Sequence, residues 1–259
     1  MSFEKIIVRK TEKKVTVVTL NRPEKMNSFD SELALELLSA FRELDVDRDT
    51  RVVVVNGAGK GFCAGIDIAE LSGKSAMEYR EWVERMEKPL LAVSQMKKPV
   101  IAQVHGVAAA NGLGLVASAD LAIASEDARM GLTAINVGLN CVGPVLPVLR
   151  SVGRKRALEM LLYGELVKAP EALAMGLVNR VVAAEKLEEE TMAWAEKLAA
   201  KSPIAVQMAK SGFYRAEDME YEKQFAFMNE VFARLCTTED AVEGVKAFFE
   251  KRPPRWKEQ

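Results

Sequence analysis

The chain has 259 residues, 49% of them hydrophobic and 28% charged, with 36 Lys and Arg against 37 Asp and Glu for a net charge of −1. That length can bury a substantial core in one large domain, and the balanced charge argues against a nucleic-acid binder or a polybasic membrane-surface protein. Three widely spaced cysteines (Cys63, Cys141, Cys236) and one histidine offer neither a disulfide framework nor metal-ligand spacing. The expectation is therefore a cytoplasmic protein without metal. Residues 1–14 lack the apolar run of a signal peptide, and no stretch reaches membrane-spanning length without a charge.

In chain order, "KIIVRKTEKKVTVVTLN" (5–21) reads as two β-branched strands around a polar turn, ended by Pro23. Ser28 or Asp30 can cap a helix over "SELALELLSAFRELD", where leucines recur at helical spacing. "RVVVVNGAG" (51–59) is a buried strand with a glycine turn, and "GFCAGIDIAEL" (61–71) is too glycine-rich for a long helix. A charged amphipathic helix is predicted over 76–96, stopped by Pro99. "PVIAQVHGVAA" is another buried strand, a helix opens after Asn111–Gly112, and "DLAIASEDARMGL" holds two short strands. Beyond about residue 145 the strands mostly end and helical periodicity dominates. This is an α/β chain of successive ββα-like units with a helical C-terminal extension and no linker between them.

The chemistry concentrates in "FCAGID" and "AAANGLG", two runs of small residues that each follow a buried strand. Between Lys88 and Ala119 there is no carboxylate. A helix opening at Asn111–Gly112 leaves free backbone N–H groups at the positive end of its dipole. A second free N–H near Ile66 would complete a pair aimed at one carbonyl oxygen, suited to an enolate or tetrahedral oxyanion. Small residues there also serve close helix–sheet packing. No phosphate-loop pattern or dinucleotide fingerprint is present in "GAGKGFCAG".

Four ordered segments, "NRPEKMNSFD", "GKGFCAGIDIAEL", "KKPVIAQVHGVAAANGLGLVASADLAIAS" and "RKRALEMLLYGELVKAPEALAMGLVNRVV", resemble the enoyl-CoA hydratase/isomerase family, the crotonases, over about residues 5–257. The resemblance implies a crotonase-like spiral of ββα units over residues 1–195 with a helical trimerisation region over 196–259. It also implies acyl-CoA thioester substrates, CoA as part of the substrate rather than a cofactor, and trimers or dimers of trimers, with no nucleic acid or membrane partner. Carried over by position, Lys25, Met26, Ala64, Gly65, Ile66, Asp67 and Ile68 fall on CoA-contacting loops. Ile66 and Asn111 supply the backbone oxyanion hole, and Phe248 and Lys251 touch CoA, often across a subunit boundary.

The two glutamates that family hydratases use to handle water fall on Gly114 and Ala134. Neither residue can transfer a proton, so standard hydration is not expected. The segment "NVGLNCVGP" offers Asn140 and Cys141 as substitutes; Asn140 cannot accept water's proton, and Cys141 needs a lowered pKa that no cationic neighbour in the sequence supplies. Tyr79, Trp82 and Met86, at helical spacing, line either the core or the acyl pocket together with Ala134, while Glu78, Glu81 and Glu84 form a solvated face. His105 reads as a packed, hydrogen-bonded side chain. The expected function is thioester enolate chemistry such as decarboxylation, hydrolysis or isomerisation; the alternative is a catalytically silent acyl-CoA sensor or scaffold.

Overall fold

Strands rich in valine and isoleucine, with side chains alternating between two buried faces, build the centre of the molecule. The structure is a computed structural model that describes residues 3–258. Strands β1 (Ile6–Lys10) and β2 (Val15–Leu20) form an antiparallel hairpin. Helix α1 (Ser31–Val46) follows, capped by Asp30, whose side chain accepts the Leu33 N–H at 2.8 Å. Next come β3 (Val52–Gly57) and α2 (Ala76–Gln95), the latter opened by a reciprocal Ser75–Glu78 capping box. Glu78 is therefore a cap as well as a surface charge, and α2 ends before Pro99 is reached.

The run "PVIAQVHGVAA" is two strands rather than one. β4 (Val100–Val104) and β5 (Val107–Ala109) belong to different sheets, and the chain steps between them at Gly106. Gly106 has φ +56°, and a Cβ there would run into the Lys60 carbonyl oxygen. Helix α3 (Asn111–Ser118) leads to β6 (Leu121–Ser125) and β7 (Arg129–Gly131), which divide between the two sheets in the same way. The remaining elements are α4 (Val145–Val152), α5 (Arg154–Tyr163), β8 (Val167–Lys168), α6 (Ala169–Ala174), β9 (Arg180–Val182) and α7 (Leu187–Ala199). Last come α8 (Pro203–Ala216), α9 (Tyr221–Cys236) and α10 (Glu239–Phe249).

The large sheet runs β1-β2-β3-β4-β6-β9, parallel beyond the first hairpin; the small one runs β5-β7-β8. β8 and β9 extend both sheets past residue 145, further than periodicity indicated. Val53, Val55 and Val104 face a core shared with α1, α2 and α3, whereas Val52, Val54, Ile101 and Ile123 face Leu187, Ala195 and Ala199 of α7. The boundary placed at 195/196 thus falls inside one continuous helix covering the large sheet; the chain breaks between α7 and α8, at Lys201–Ser202. Alternation of strands between two layers, each followed by a helix, is the ββα spiral. Among the described residues no helix is long and apolar enough to cross a membrane.

Candidate active site

The small-residue runs are brought together by backbone pairing. The Cys63 N–H donates to the Val107 carbonyl at 3.0 Å, and the Ala109 N–H donates back to the Cys63 carbonyl at 2.8 Å. On the opposite side the Phe29 N–H donates to Gly65 O (2.7 Å) and the Asp67 N–H to Phe29 O (2.8 Å), a parallel bridge between Phe29 and Ile66. In that pattern the polar groups of Ile66 itself turn away from Phe29. Its N–H has no acceptor among the described residues.

The same pairing sets Gly65 against the start of α3. Gly65 has φ +111°; a Cβ there would lie 2.8 Å from Ala110 Cβ, 3.3 Å from Ala109 O and 3.8 Å from Asn111 N. Ala110 adopts φ 48°, ψ −116°, a conformation that costs a non-glycine residue on the order of 1–3 kcal/mol. This turn sets Asn111, in the first position of α3, beside Gly65. The first N–H groups of a helix have no intrahelical acceptor and sit at its positive pole. Gly112 is equally constrained, since a Cβ there would strike the Cys63 carbonyl. The Ile66 and Asn111 N–H groups, neither of which has an acceptor among the described residues, thus lie on the two chain segments that meet at Gly65.

A polar frame holds this backbone. Arg22 is buried, donating to Ser28 O at 2.6 Å and pairing with Asp67 (3.0 Å) and Asp30 (3.1 Å). Burial works against the Asp67 carboxylate, but the Ala69 N–H and the Arg22 guanidinium outweigh it and hold the group below its ordinary pKa. The Asp67 side chain therefore serves the loop's own shape. Asn27, also at positive φ, donates to Ala58 O and Gly61 O, and the Met26 carbonyl accepts the Ala64 N–H at 2.9 Å. Lys25, exposed, and Met26 are thus beside Ala64, Gly65, Ile66, Asp67 and Ile68. Phe248 and Lys251 are not brought there: Phe248 is in the last turn of α10, which packs on α8 and α9, and Lys251 lies just beyond that helix. Arg22 and Asn27 were missed from sequence, although both stand inside the first quoted motif.

Along α2, the Trp82 Nε1–H donates to Glu70 (2.6 Å) and the Tyr79 hydroxyl to Leu71 O (2.6 Å), so both rings fasten the 68–74 segment. Met86 is fully buried, and its carbonyl accepts the Asn111 side-chain amide at 3.2 Å. Ala134 is half-buried in a 3-10 turn (Thr133–Val137), and Asn140 is exposed beyond it. Cys141 is 3% exposed; burial pushes its thiol up, against a backbone hydrogen bond from Ala134, so it stays protonated and is not an activated nucleophile. His105 Nε2 lies 3.0 Å from Gly59 O, a packed and hydrogen-bonded side chain. No cluster of three or more potential metal ligands occurs among the described residues.

The space around Gly114 and around Gly143, the residue before Pro144, is also defined. A Cβ on Gly114 would lie 2.6 Å from Leu90 Cδ2 and 3.0 Å from Pro144 Cβ. A Cβ on Gly143 would run into the carboxylate of Glu87, one turn before Leu90 on α2.

Comparison with known proteins agrees with this architecture. The family model for enoyl-CoA hydratase/isomerase matches residues 10–259. (E)-benzylidenesuccinyl-CoA hydratase of Thauera aromatica is 38% identical over 94% of this chain and 95% of its own. The short-chain-enoyl-CoA hydratase of Clostridium acetobutylicum is 34% identical over 97% of each chain. The crystal structure of enoyl-CoA hydratase from Mycobacterium smegmatis superposes with a TM-score of 0.95 at 41% identity, covering 98% of this chain and 99% of that one. By sequence and by crotonase fold, the chain belongs to the enoyl-CoA hydratase/isomerase family and is an enzyme of that superfamily.

Proposed function

We propose that this enzyme binds an acyl-CoA thioester with its carbonyl oxygen between the Ile66 and Asn111 N–H groups, stabilises the enolate that forms there, and does not catalyse standard hydration. The observation that carries this reading is the pairing of two free main-chain donors with Gly114 and Ala134 at the positions assigned to the hydratase glutamates. The gap at 114 is filled by Leu90 and Pro144 rather than left open. Each missing acid–base group is worth about 10²–10⁴-fold in rate. Isomerisation, decarboxylation and thioester hydrolysis all use the same oxyanion site without that pair of glutamates.

CoA runs along Lys25, Met26 and residues 64–68 in this reading, with Phe248 and Lys251 supplied by a second copy of the chain in a trimer or dimer of trimers in the cytoplasm. Support for self-association comes from the apolar surface of the last three helices, where Phe213, Phe232, Phe248 and Phe249 are all at least 63% exposed.

The test uses two thioesters. Acetoacetyl-CoA bound to the protein should develop its ultraviolet enolate band, while crotonyl-CoA should keep its enoyl absorbance. Rapid loss of that absorbance would return the enzyme to the hydratases; absence of the enolate band would remove the oxyanion hole.

A further inference from the structure

Resting on the oxyanion-hole reading, we propose that Glu87 is the proton-transferring base of this enzyme, carried on α2 into the space between the two positions that lack their acids.

The placement follows from three contacts. Leu90 and Pro144 occupy the side of Gly114 where its side chain would project, and Glu87 meets Gly143, the residue before Pro144. Glu87 and Leu90 are three apart on α2 and share a face. On the other flank, the Ala134 carbonyl accepts the Leu139 N–H at 3.1 Å, four residues before Gly143. The carboxylate of Glu87 thus touches the short segment that connects the surroundings of position 134 to those of position 114. Its neighbour Met86 is tied through its carbonyl to the side chain of Asn111, so this turn of α2 is fixed to the residue that offers the oxyanion donor.

The chemistry of Glu87 sets it apart from the other carboxylates nearby. Asp67 is committed to Arg22 and the Ala69 N–H, and Glu70 to Trp82 and Ser31. Glu87 is about half-buried, and burial alone pushes its carboxyl upward, with no hydrogen bond or neighbouring charge to offset it. Gly143 is the reason it fits: any larger residue there would displace the carboxylate. A half-buried carboxylate without a structural partner, next to an oxyanion site, is a group free to exchange a proton.

One carboxylate suffices for a double-bond shift and not for hydration, which also needs water to be activated. In the forward step Glu87 removes a proton from the carbon next to the thioester carbonyl of a β,γ-unsaturated acyl-CoA. The C–H bond breaks, a carboxyl O–H forms, and the electron pair moves onto the carbonyl oxygen between the Ile66 and Asn111 N–H groups. Glu87 then returns the proton to the γ-carbon, the enolate collapses, and the double bond lies between the α and β carbons. No water, oxidant or second acid is consumed, and the enzyme ends in its starting state.

The experiment compares the wild-type enzyme with Glu87→Gln, which keeps the shape and loses the base. Each is given 3-butenoyl-CoA, and the growth of conjugated enoyl absorbance is followed. Deuterium uptake from heavy water into the acyl chain is read by mass spectrometry. The expected result is isomerisation with deuterium uptake by the wild type, a loss of about 10²–10⁴-fold in Glu87→Gln, and a retained acetoacetyl-CoA enolate band in both. Glu87→Asp should recover part of the rate. Wild-type exchange in Glu87→Gln overturns the proposal, as does a wild-type enzyme that develops the enolate band yet neither isomerises nor exchanges. Loss of the enolate band in the wild type would instead overturn the oxyanion-hole reading itself.

Discussion

The side-chain amide of Asn111 donates to the carbonyl of Met86 at 3.2 Å, so the residue whose backbone faces the site uses its side chain to pin α3 to α2. The asparagine at the head of α3 thus commits its side-chain amide to α2. The Met86 carbonyl is inside a helix, so this is a second bond to an already paired acceptor. Asn111→Ala removes the tie and keeps the main-chain donor. We expect a loss of about 1–2 kcal/mol in urea unfolding, with the acetoacetyl-CoA enolate band still present. Disappearance of the band in a folded variant would mean that the side chain, not the backbone, holds the oxygen.

Gly65 and Ala110 face each other where the two small-residue segments meet. Gly65→Ala introduces a methyl 2.8 Å from Ala110 Cβ at a φ of +111°, so strain and overlap act together. The 65–66 backbone must retreat from residues 110–111, which separates the two donors. We expect a destabilisation of about 1–3 kcal/mol and a fall in kcat of at least about 10²-fold, the usual cost of losing one oxyanion donor. Thermal melts and steady-state rates on the enzyme's working thioester would check this; an unchanged kcat would show that the donors do not act as a pair.

Placing a glutamate at position 114 tests directly whether the absence of an acid there bears on hydration. In Gly114→Glu the new side chain must displace Leu90 Cδ2, 2.6 Å from its Cβ, and then Pro144, whose ring cannot rotate away. The expected outcome is a folded protein weaker by about 1–3 kcal/mol that still leaves crotonyl-CoA absorbance unchanged. Gain of hydration from this single substitution would show that the pocket is open at 114 and that Ala134 is no obstacle.

Much of the site was legible because it is written in backbone requirements. Gly65, Gly112 and the small residues around them mark where main chains approach, and these were visible as composition. What stayed hidden depends on contacts distant in sequence. The split of β4 from β5 at Gly106 is set by Lys60, 46 residues earlier. Arg22 looked like an ordinary charge until Asp30 and Asp67 closed on it. Tyr79 and Trp82 kept helical spacing, which fixes a face but not a partner; the partner proved to be the 68–74 segment. Glu87 was overlooked because it lies just outside the carboxylate-free stretch, and only the packing of Gly143 reveals it.

A buried ion pair helps to tie the helical extension to the core. Lys210 on α8 donates to Asp120 at 2.7 Å and to the carbonyls of Val93 and Lys98, while Asp120 also accepts the Val100 N–H and the Tyr214 hydroxyl. Burial pushes the Asp120 carboxyl up and the Lys210 ammonium down, and each charge counteracts that push on the other. Lys210→Met keeps the length and removes the charge, leaving a buried carboxylate without its cation and two carbonyls without their donor. Removing one partner of such a pair costs about 3–5 kcal/mol, so α8 should loosen and the whole chain melt earlier at pH 7. The pH dependence has a definite sign. Without Lys210 the folded-state pKa of Asp120 moves further above its unfolded value, so folding takes up a proton as the pH falls between the two. Relative to wild type, the variant should therefore regain stability as the pH falls through the folded-state pKa of Asp120, a comparison that urea unfolding at a series of pH values measures directly. A deficit that stays constant with pH would mean that lost packing and carbonyl hydrogen bonds, rather than the stranded charge, account for the damage.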